Sequence, residues 1–232
     1  MTQTGDRVAP PAGAERPDTP SGRGELIAGA VLLAWLLVAS AVVHHSPAPN
    51  ALDRWGFRLF PVVRHSTWMS RVTEVGGLPV LVVGSLLAAA VAFGRDRVRA
   101  AACLVGPAAA VLLSEWVIKP AVGRHYAGVL TFPSGHVTSV ASLGTAWVVA
   151  VPRWLRWPTA AIAAVVTFLM TMSVVSLAWH YTSDALAGAV CGVGTVLLVD
   201  GILHLAFGPP VGASTPSRVR PGPPYGRASP QE

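Results

Sequence analysis

Charge is what this sequence most conspicuously has little of. Only 12% of its 232 residues are Asp, Glu, Lys or Arg, about half the roughly 25% of a typical soluble domain. Mean hydropathy is positive, +0.53, whereas a disordered chain needs low hydrophobicity. Neither a soluble globule nor a disordered chain describes the whole. Lysine is nearly missing: Lys119 stands alone, and the other 16 of the 17 basic residues are arginine. The net charge of +6 and the pI near 10.3 therefore come from scattered arginines. No basic stripe is interleaved with aromatics, which excludes a nucleic-acid binder. Cysteine is scarce too. Cys103 and Cys191 cannot staple a small secreted fold, and neither sits in a Cys-x-x-Cys pair. What is present is apolar, at 52% of residues, and the class that remains is an integral membrane protein. Abundant Ala, Gly, Val and Pro, with Arg in place of Lys, fit a high-GC bacterial genome.

Spanning the hydrocarbon core takes about 20 apolar residues as a helix. Six stretches come close, at about 26–43, 76–93, 100–118, 136–151, 159–178 and 185–207. The expected fold is all-α: a polytopic six-transmembrane-helix bundle over residues 25–208. Residues 1–24 and 209–232 are rich in Pro, Gly, Ser, Thr and Arg and poor in large apolar residues, so both are expected to be disordered tails. Ala39-Ser40-Ala41 resembles a cleavage site. The apolar run before it is longer than a signal core and is preceded by more than 20 residues, so the first span is expected to stay uncleaved.

An even number of spans puts both termini on one side, and the positive-inside rule chooses which. With cytoplasmic termini, the inner segments hold 11 arginines. The outer loops hold Arg54, Arg58, Arg64, Arg71, Lys119 and Arg124. This predicts a multi-pass protein of a bacterial inner membrane whose three outer loops share one face. In the first of these loops, about 44–75, Leu52, Trp55, Leu59, Phe60 and Val63 recur at helical spacing between arginines. That pattern suits one short amphipathic helix on the membrane surface, or a loop with an aromatic anchor.

The chemistry gathers in the other two outer loops. His180 and Asp184 are four apart at the start of the sixth span, so they share a helix face. A carboxylate there can orient the imidazole and leave its other nitrogen free as nucleophile or base. The plainer alternative is an interfacial histidine and an aspartate favoured by the helix dipole. Pro133-Ser134-Gly135-His136 opens the fourth span. Ser is a good N-cap, Gly permits close backbone approach, and free N–H groups at a helix start bind phosphate. His136 would stand beside that anion as a proton donor. Lys119 and Arg124 could both hold phosphate oxygens, with Glu115 orienting Lys119 as an i,i+4 pair. Taken singly, each is also a basic residue snorkelling from a helix end.

In order, Lys119 and Arg124, then Pro133-Ser134-Gly135-His136, then His180-x-x-x-Asp184 resemble the phosphatidic acid phosphatase type 2 superfamily. This superfamily covers membrane lipid phosphatases and prenyl diphosphate phosphatases and is related to vanadium haloperoxidases. The resemblance covers roughly residues 50–190 and extends to Asp184-Ala-Leu-Ala-Gly188. It implies His180 as the nucleophile forming a phosphohistidine, Asp184 as its orienting partner and His136 as the acid for the leaving group. It also implies Lys119, Ser134 and Gly135, with Arg124, as binders of the phosphoryl oxygens. No metal and no other cofactor is implied. The implied partners are a lipid phosphate or prenyl diphosphate and the bilayer. Two positions depart from the family pattern. Its Lys-x6-Arg-Pro motif would put an arginine at Tyr126, and its Ser-Arg pair falls on Ser173 and Val174.

The leading expectation is a membrane phosphohydrolase acting at the outer face. A lipid-binding or transport module of the same fold is the second reading. A zinc site of His136, His180 and Asp184 is the third. Asp200 and His204, one turn apart near the inner end of the last span, are expected to be structural. So are His44 and His45, and the two cysteines read as small packing residues.

Overall fold

The computed structural model describes residues 22–208. The expected tails therefore lie outside the described residues, except that Arg23 and Gly24 already belong to the first helix. Six long helices carry the fold: α1 (Arg23–His45), α4 (Leu78–Phe93), α5 (Arg97–Leu112), α7 (Gly135–Ala150), α8 (Arg156–Ser176) and α9 (Thr182–Phe207). Between α1 and α4 lie two short helices, α2 (Ala51–Leu59) and α3 (Thr67–Glu74). A wide π-turn, Leu113–Ile118, continues α5 into the single turn α6 (Lys119–Val122). Strands β1 (His125–Tyr126) and β2 (Val129–Leu130) pair antiparallel, Tyr126 opposite Val129.

The all-α, multi-pass expectation holds, but the expected count of six spans is not exact. Among the described residues, four helical segments are long and apolar enough to cross alone: Arg23–His45, Arg97–Val122, Arg153–Ser176 and Thr182–Phe207. Thr67–Glu74 and Leu78–Phe93, bent by 44°, qualify together as a fifth. Helix α7 has 16 residues, about 24 Å at ~1.5 Å per residue against a hydrocarbon core of ~30 Å. It is short because both ends are fixed by sequence. Ser134, in extended conformation, is its N-cap residue, and Pro152 follows at its end and cannot continue a helix.

The first loop holds two short helices, where one was expected. Asn50 and Asp53 form a capping box that starts α2, each side chain accepting from the other's backbone N–H at 3.0–3.1 Å. Leu52, Trp55 and Leu59 are exposed, and Asp53 is fully buried. The apolar face of α2 thus points out, as at a lipid surface, and its carboxylate points in.

Helix α9 is central and packs on α1, α5 and α7. Between helices in lipid there is no hydrophobic driving force, so association rests on close backbone approach through small residues. Gly188 and Gly192 supply it towards α7. A Cβ at Gly188 would lie 2.5 Å from the Ser134 carbonyl oxygen, and one at Gly192 would lie 2.6 Å from that of Thr138. Cys103 and Cys191 are buried packing residues, and neither is in a disulfide.

Candidate active site

At the end of the bundle where α7 and α9 begin, a cleft of about 570 Å³ opens between α4, the π-turn, the β-hairpin and the loop before α9. Lys119, Gly135, His136 and His180 line it. Three segments distant in sequence therefore converge on one cavity.

Lys119 reaches it because of the π-turn. The wide turn aims Glu115 and Lys119 inward while Trp116 and Val117 stay exposed. The Lys119 ammonium donates to Glu115 Oε2 at 2.8 Å, the pairing expected from their spacing. The carboxylate lies directly over Gly135, where a Cβ would collide with it. Ser134 is the extended N-cap of α7. Its N–H donates to the Asp184 carbonyl at 2.9 Å, and its buried hydroxyl has no hydrogen-bond partner.

His180 sits just after α8 ends. That helix closes with a Schellman pattern: Ala178 N–H donates to Val175 O at 3.0 Å, and Trp179 N–H to Val174 O at 3.0 Å. Ala178 occupies the left-handed position, φ 58°, that glycine usually takes. The turn delivers Trp179 and His180 to the cleft, and the ring of Trp179 lies 5.7 Å from that of His136. His180 Nδ1 is 2.9 Å from the Thr131 carbonyl. A carbonyl only accepts, so Nδ1 carries the proton and the lone pair of the neutral ring is on Nε2.

Two expected site residues are elsewhere. Asp184 does not line the cleft. Its Oδ2 is 3.8 Å from His180 Nδ1, beyond hydrogen-bond distance, and instead accepts the Tyr181 N–H at 3.0 Å. The orienting contact to His180 comes from Thr131. Arg124 does not line the cleft either. Its guanidinium is buried and donates to Asp184 Oδ1 at 2.6 Å, Asp53 Oδ2 at 2.7 Å, Ser183 Oγ at 2.7 Å and the Pro47 carbonyl at 2.9 Å. It also stacks 4.1 Å over the ring of Tyr181. With the Ala48 carbonyl at 3.4 Å as the fifth acceptor, all five N–H donors tie α2 and the loop before it to α9, and none is left for a phosphate in the cleft. Burial opposes the charge on Arg124, yet Asp184 and Asp53 outweigh it and raise its pKa above the ordinary arginine value. Burial likewise opposes ionisation of Asp53, and hydrogen bonds from Arg124 and Ser183 hold its carboxyl below 3.8.

Sequence reasoning missed Asp53, Ser183 and Thr131. Asp53 had a local signal in Asn50-x-x-Asp53, which spells a capping box. The contact of Thr131 is through its backbone and carries no signature.

Residues 57–198 match the family model described as the PAP2 superfamily. The chain belongs to the PAP2 superfamily. Among solved structures it is similar to a transmembrane PAP2-type phosphatidylglycerolphosphate phosphatase from Bacillus subtilis. The TM-score is 0.59 at 22% identity, covering 75% of this chain and 94% of that one; the likeness speaks for the fold. No curated protein matches the chain. Superfamily membership, with several apolar helices, supports a multi-pass membrane phosphatase acting on lipid phosphates in general terms.

Against the PAP2 pattern, the two departures have different surroundings. Tyr126 lines the cleft, its ring 4.6 Å from Tyr181. Val174 is fully buried with Phe60, Val137 and Met170, so its side chain is part of the core. The alternative zinc triad is not assembled, since Asp184 faces Arg124. Asp200 and His204 lie at the opposite end of the bundle with Asp96 and Arg99, away from the cleft.

Proposed function

We propose that this protein is a phosphohydrolase that removes phosphate from a lipid phosphate or prenyl diphosphate through a phosphohistidine at His180. The observation that carries the reading is the tautomer. With Nδ1 held by the Thr131 carbonyl, Nε2 is the nucleophile, and its ring shares one cleft with His136, Lys119 and the start of α7.

In the proposed reaction, Nε2 attacks phosphorus and the bond from phosphorus to the leaving oxygen breaks. That oxygen takes a proton from His136. Water, giving a proton back to His136, then attacks phosphorus and breaks the P–N bond, releasing inorganic phosphate and restoring both imidazoles. Lys119, transferred from Glu115 to the substrate, and the first N–H groups of α7 stabilise the phosphoryl oxygens. Such chemistry is mostly positioning and charge stabilisation. Ser134 and Gly135 shape that cradle. Asp184 acts through the backbone, holding the Tyr181 N–H, and Arg124 acts through Asp184.

An apolar groove of about 350 Å³ between α4 and α5 shares Leu78, Leu81 and Val111 with the cleft. It suits a lipid tail whose phosphate sits at Lys119. The proposed topology places the termini in the cytoplasm and the cleft at the outer face of a bacterial inner membrane. No metal or other cofactor has a part in the proposed steps.

The test is phosphate release by detergent-purified protein from phosphatidate and from a prenyl diphosphate, both with EDTA, beside His180→Ala. Turnover should vanish in the variant, and acid-labile phosphate should be trapped only on the unsubstituted chain. Turnover that survives in His180→Ala would overturn the phosphohistidine. A second reading, a lipid-binding module, has one observation in its favour: Arg124 is committed elsewhere and Tyr126 replaces an expected arginine. Lipid affinity without turnover on either substrate would favour it.

A further inference from the structure

At the far end of the bundle, where α4 meets α5 and α7 meets α8, a second polar cavity of about 170 Å³ has no part in the proposed chemistry. It is lined by Arg95, Asp96, Arg99, Arg153 and Arg156 with the backbone of Val149–Pro152. Four arginines and one aspartate line it, with the carboxylates of Glu25 and Asp200 on the other side of Arg99.

Arginines near a membrane surface ordinarily point to water. Arg99 does not. The Arg99 side chain is only 9% exposed, and its ion pairs are long, at 3.6 Å to Glu25, 3.7 Å to Asp96 and 3.9 Å to Asp200. Its Nε and that of Arg156 are buried without a hydrogen-bond partner. Arg95 donates to the Ala150 carbonyl at 2.5 Å, which fixes its guanidinium at the cavity wall. Burying donors on charged groups without acceptors is costly, and an anion with several acceptor oxygens removes that cost. The cavity has room for a phosphate group and a few waters at ~30 Å³ per water.

The rim identifies where the anion comes from. Trp154 and Trp157 flank Arg153 and Arg156 and are 75% and 85% exposed. Exposed tryptophans beside arginines mark the headgroup level of a bilayer. Basic pockets between helices at that level bind anionic headgroups.

We infer that Arg95, Arg99, Arg153 and Arg156 form a binding site for the phosphodiester headgroup of an anionic phospholipid in the leaflet opposite the active-site cleft. The inference is independent of the proposed reaction.

The experiment is native mass spectrometry of the delipidated full chain in detergent, offered phosphatidylglycerol and phosphatidylcholine in equal amounts. A preference for phosphatidylglycerol of about tenfold or more is expected, falling to near parity in Arg156→Gln and in Arg153→Gln/Arg156→Gln. Melting in phosphatidylcholine checks that the variants fold. A preference unchanged in the folded variants would place the lipid elsewhere and overturn the site. If a variant does not fold, absence of the preference in the unsubstituted protein overturns it equally, and its presence with a steep fall between low and high salt supports it. A third arm uses inorganic phosphate. Arg156-dependent stabilisation by phosphate equal to that by phosphatidylglycerol would overturn the lipid assignment in favour of a free anion.

Discussion

Replacing Arg124 by Gln separates two roles for this residue. As a phosphate ligand it would matter for substrate. As the buried tie between α2 and α9 it matters for the fold. The structure fixes the magnitude. Its guanidinium lies 2.7 Å from Asp53 and 2.6 Å from Asp184, and all three side chains are fully buried. The cluster carries a net charge of −1, one cation against two carboxylates. Arg124→Gln changes this to −2 and leaves both carboxylates without a partner. Breaking one buried pair costs roughly 3–5 kcal/mol. At ~2–4 °C per kcal/mol for a chain of this size, Tm should fall by roughly 6–20 °C. Asp53→Asn leaves a neutral Arg124–Asp184 pair and should cost less. Arg124→Lys keeps the charge and loses the fork, so it should fall between the two. The assay is intrinsic tryptophan fluorescence on heating in detergent, paired with KM for a lipid phosphate. An Arg124→Gln protein with unchanged Tm and a raised KM would refute the reasoning and return Arg124 to the substrate.

Three further predictions follow from the same geometry. Ala178 sits at φ 58°, a conformation that costs a non-glycine residue ~1 kcal/mol or more; Ala178→Gly should raise Tm by a few degrees, and a fall would show that the turn is not strained. The Asp53 carboxyl is held below 3.8, so the stability it contributes is present above that value and lost as pH falls through the lower folded one. Below about pH 4, Tm of the unsubstituted protein should therefore drop more steeply than that of Asp53→Asn, and parallel curves would contradict the shift. Glu115→Gln frees Lys119 and removes a carboxylate from over Gly135. Binding of inorganic phosphate or vanadate, read by calorimetry, should tighten several-fold, whereas weaker binding would mean that Glu115 holds Lys119 in its working position.

How far these features were legible depends on the range of the interaction that makes them. All six long helices stand within a few residues of their apolar runs, because hydropathy is a local property summed over a window. The Glu115–Lys119 pair was legible for the same reason, lying one turn apart. Asp184 lies 3.8 Å from His180 Nδ1 and does not bond it, because i,i+4 spacing says that two residues share a face and not that they bond. Here the helix begins at Thr182, between His180 and Asp184, and the aspartate turns to cap its own N-terminus. Arg124 was misread because its partners are 71 and 60 residues away, and no pattern in the loop announces them. The outward apolar face of α2 agrees with the expected surface helix, whereas the burial of Asp53 behind it was hidden likewise. Leu52, Trp55 and Leu59 define an apolar face whether that face packs inward or meets lipid, and only the buried position of Asp53 decides.

The loop from Gly123 to Thr131 explains how a site with one cation is positioned. The Arg124 carbonyl accepts from the Thr131 N–H at 3.0 Å, and the Thr131 carbonyl in turn accepts from His180 Nδ1 at 2.9 Å. The Arg124 side chain holds Asp184, whose carbonyl takes the Ser134 N–H at 2.9 Å and whose carboxylate takes that of Tyr181. One residue thus reaches the His180 ring through its backbone and the start of α7 through its side chain. Between these two arms, β1 and β2 close through Ala127 and Gly128, both at positive φ, the signature of a tight hairpin turn matched to strand twist. An arginine deployed this way adds no charge to the cleft. It fixes the relative placement of His180 and the α7 N–H groups, and a misplacement of about 1 Å there can cost on the order of 10²-fold in rate. The absence of arginines from the cleft is then matched by an arginine behind it, holding the remaining donors in register.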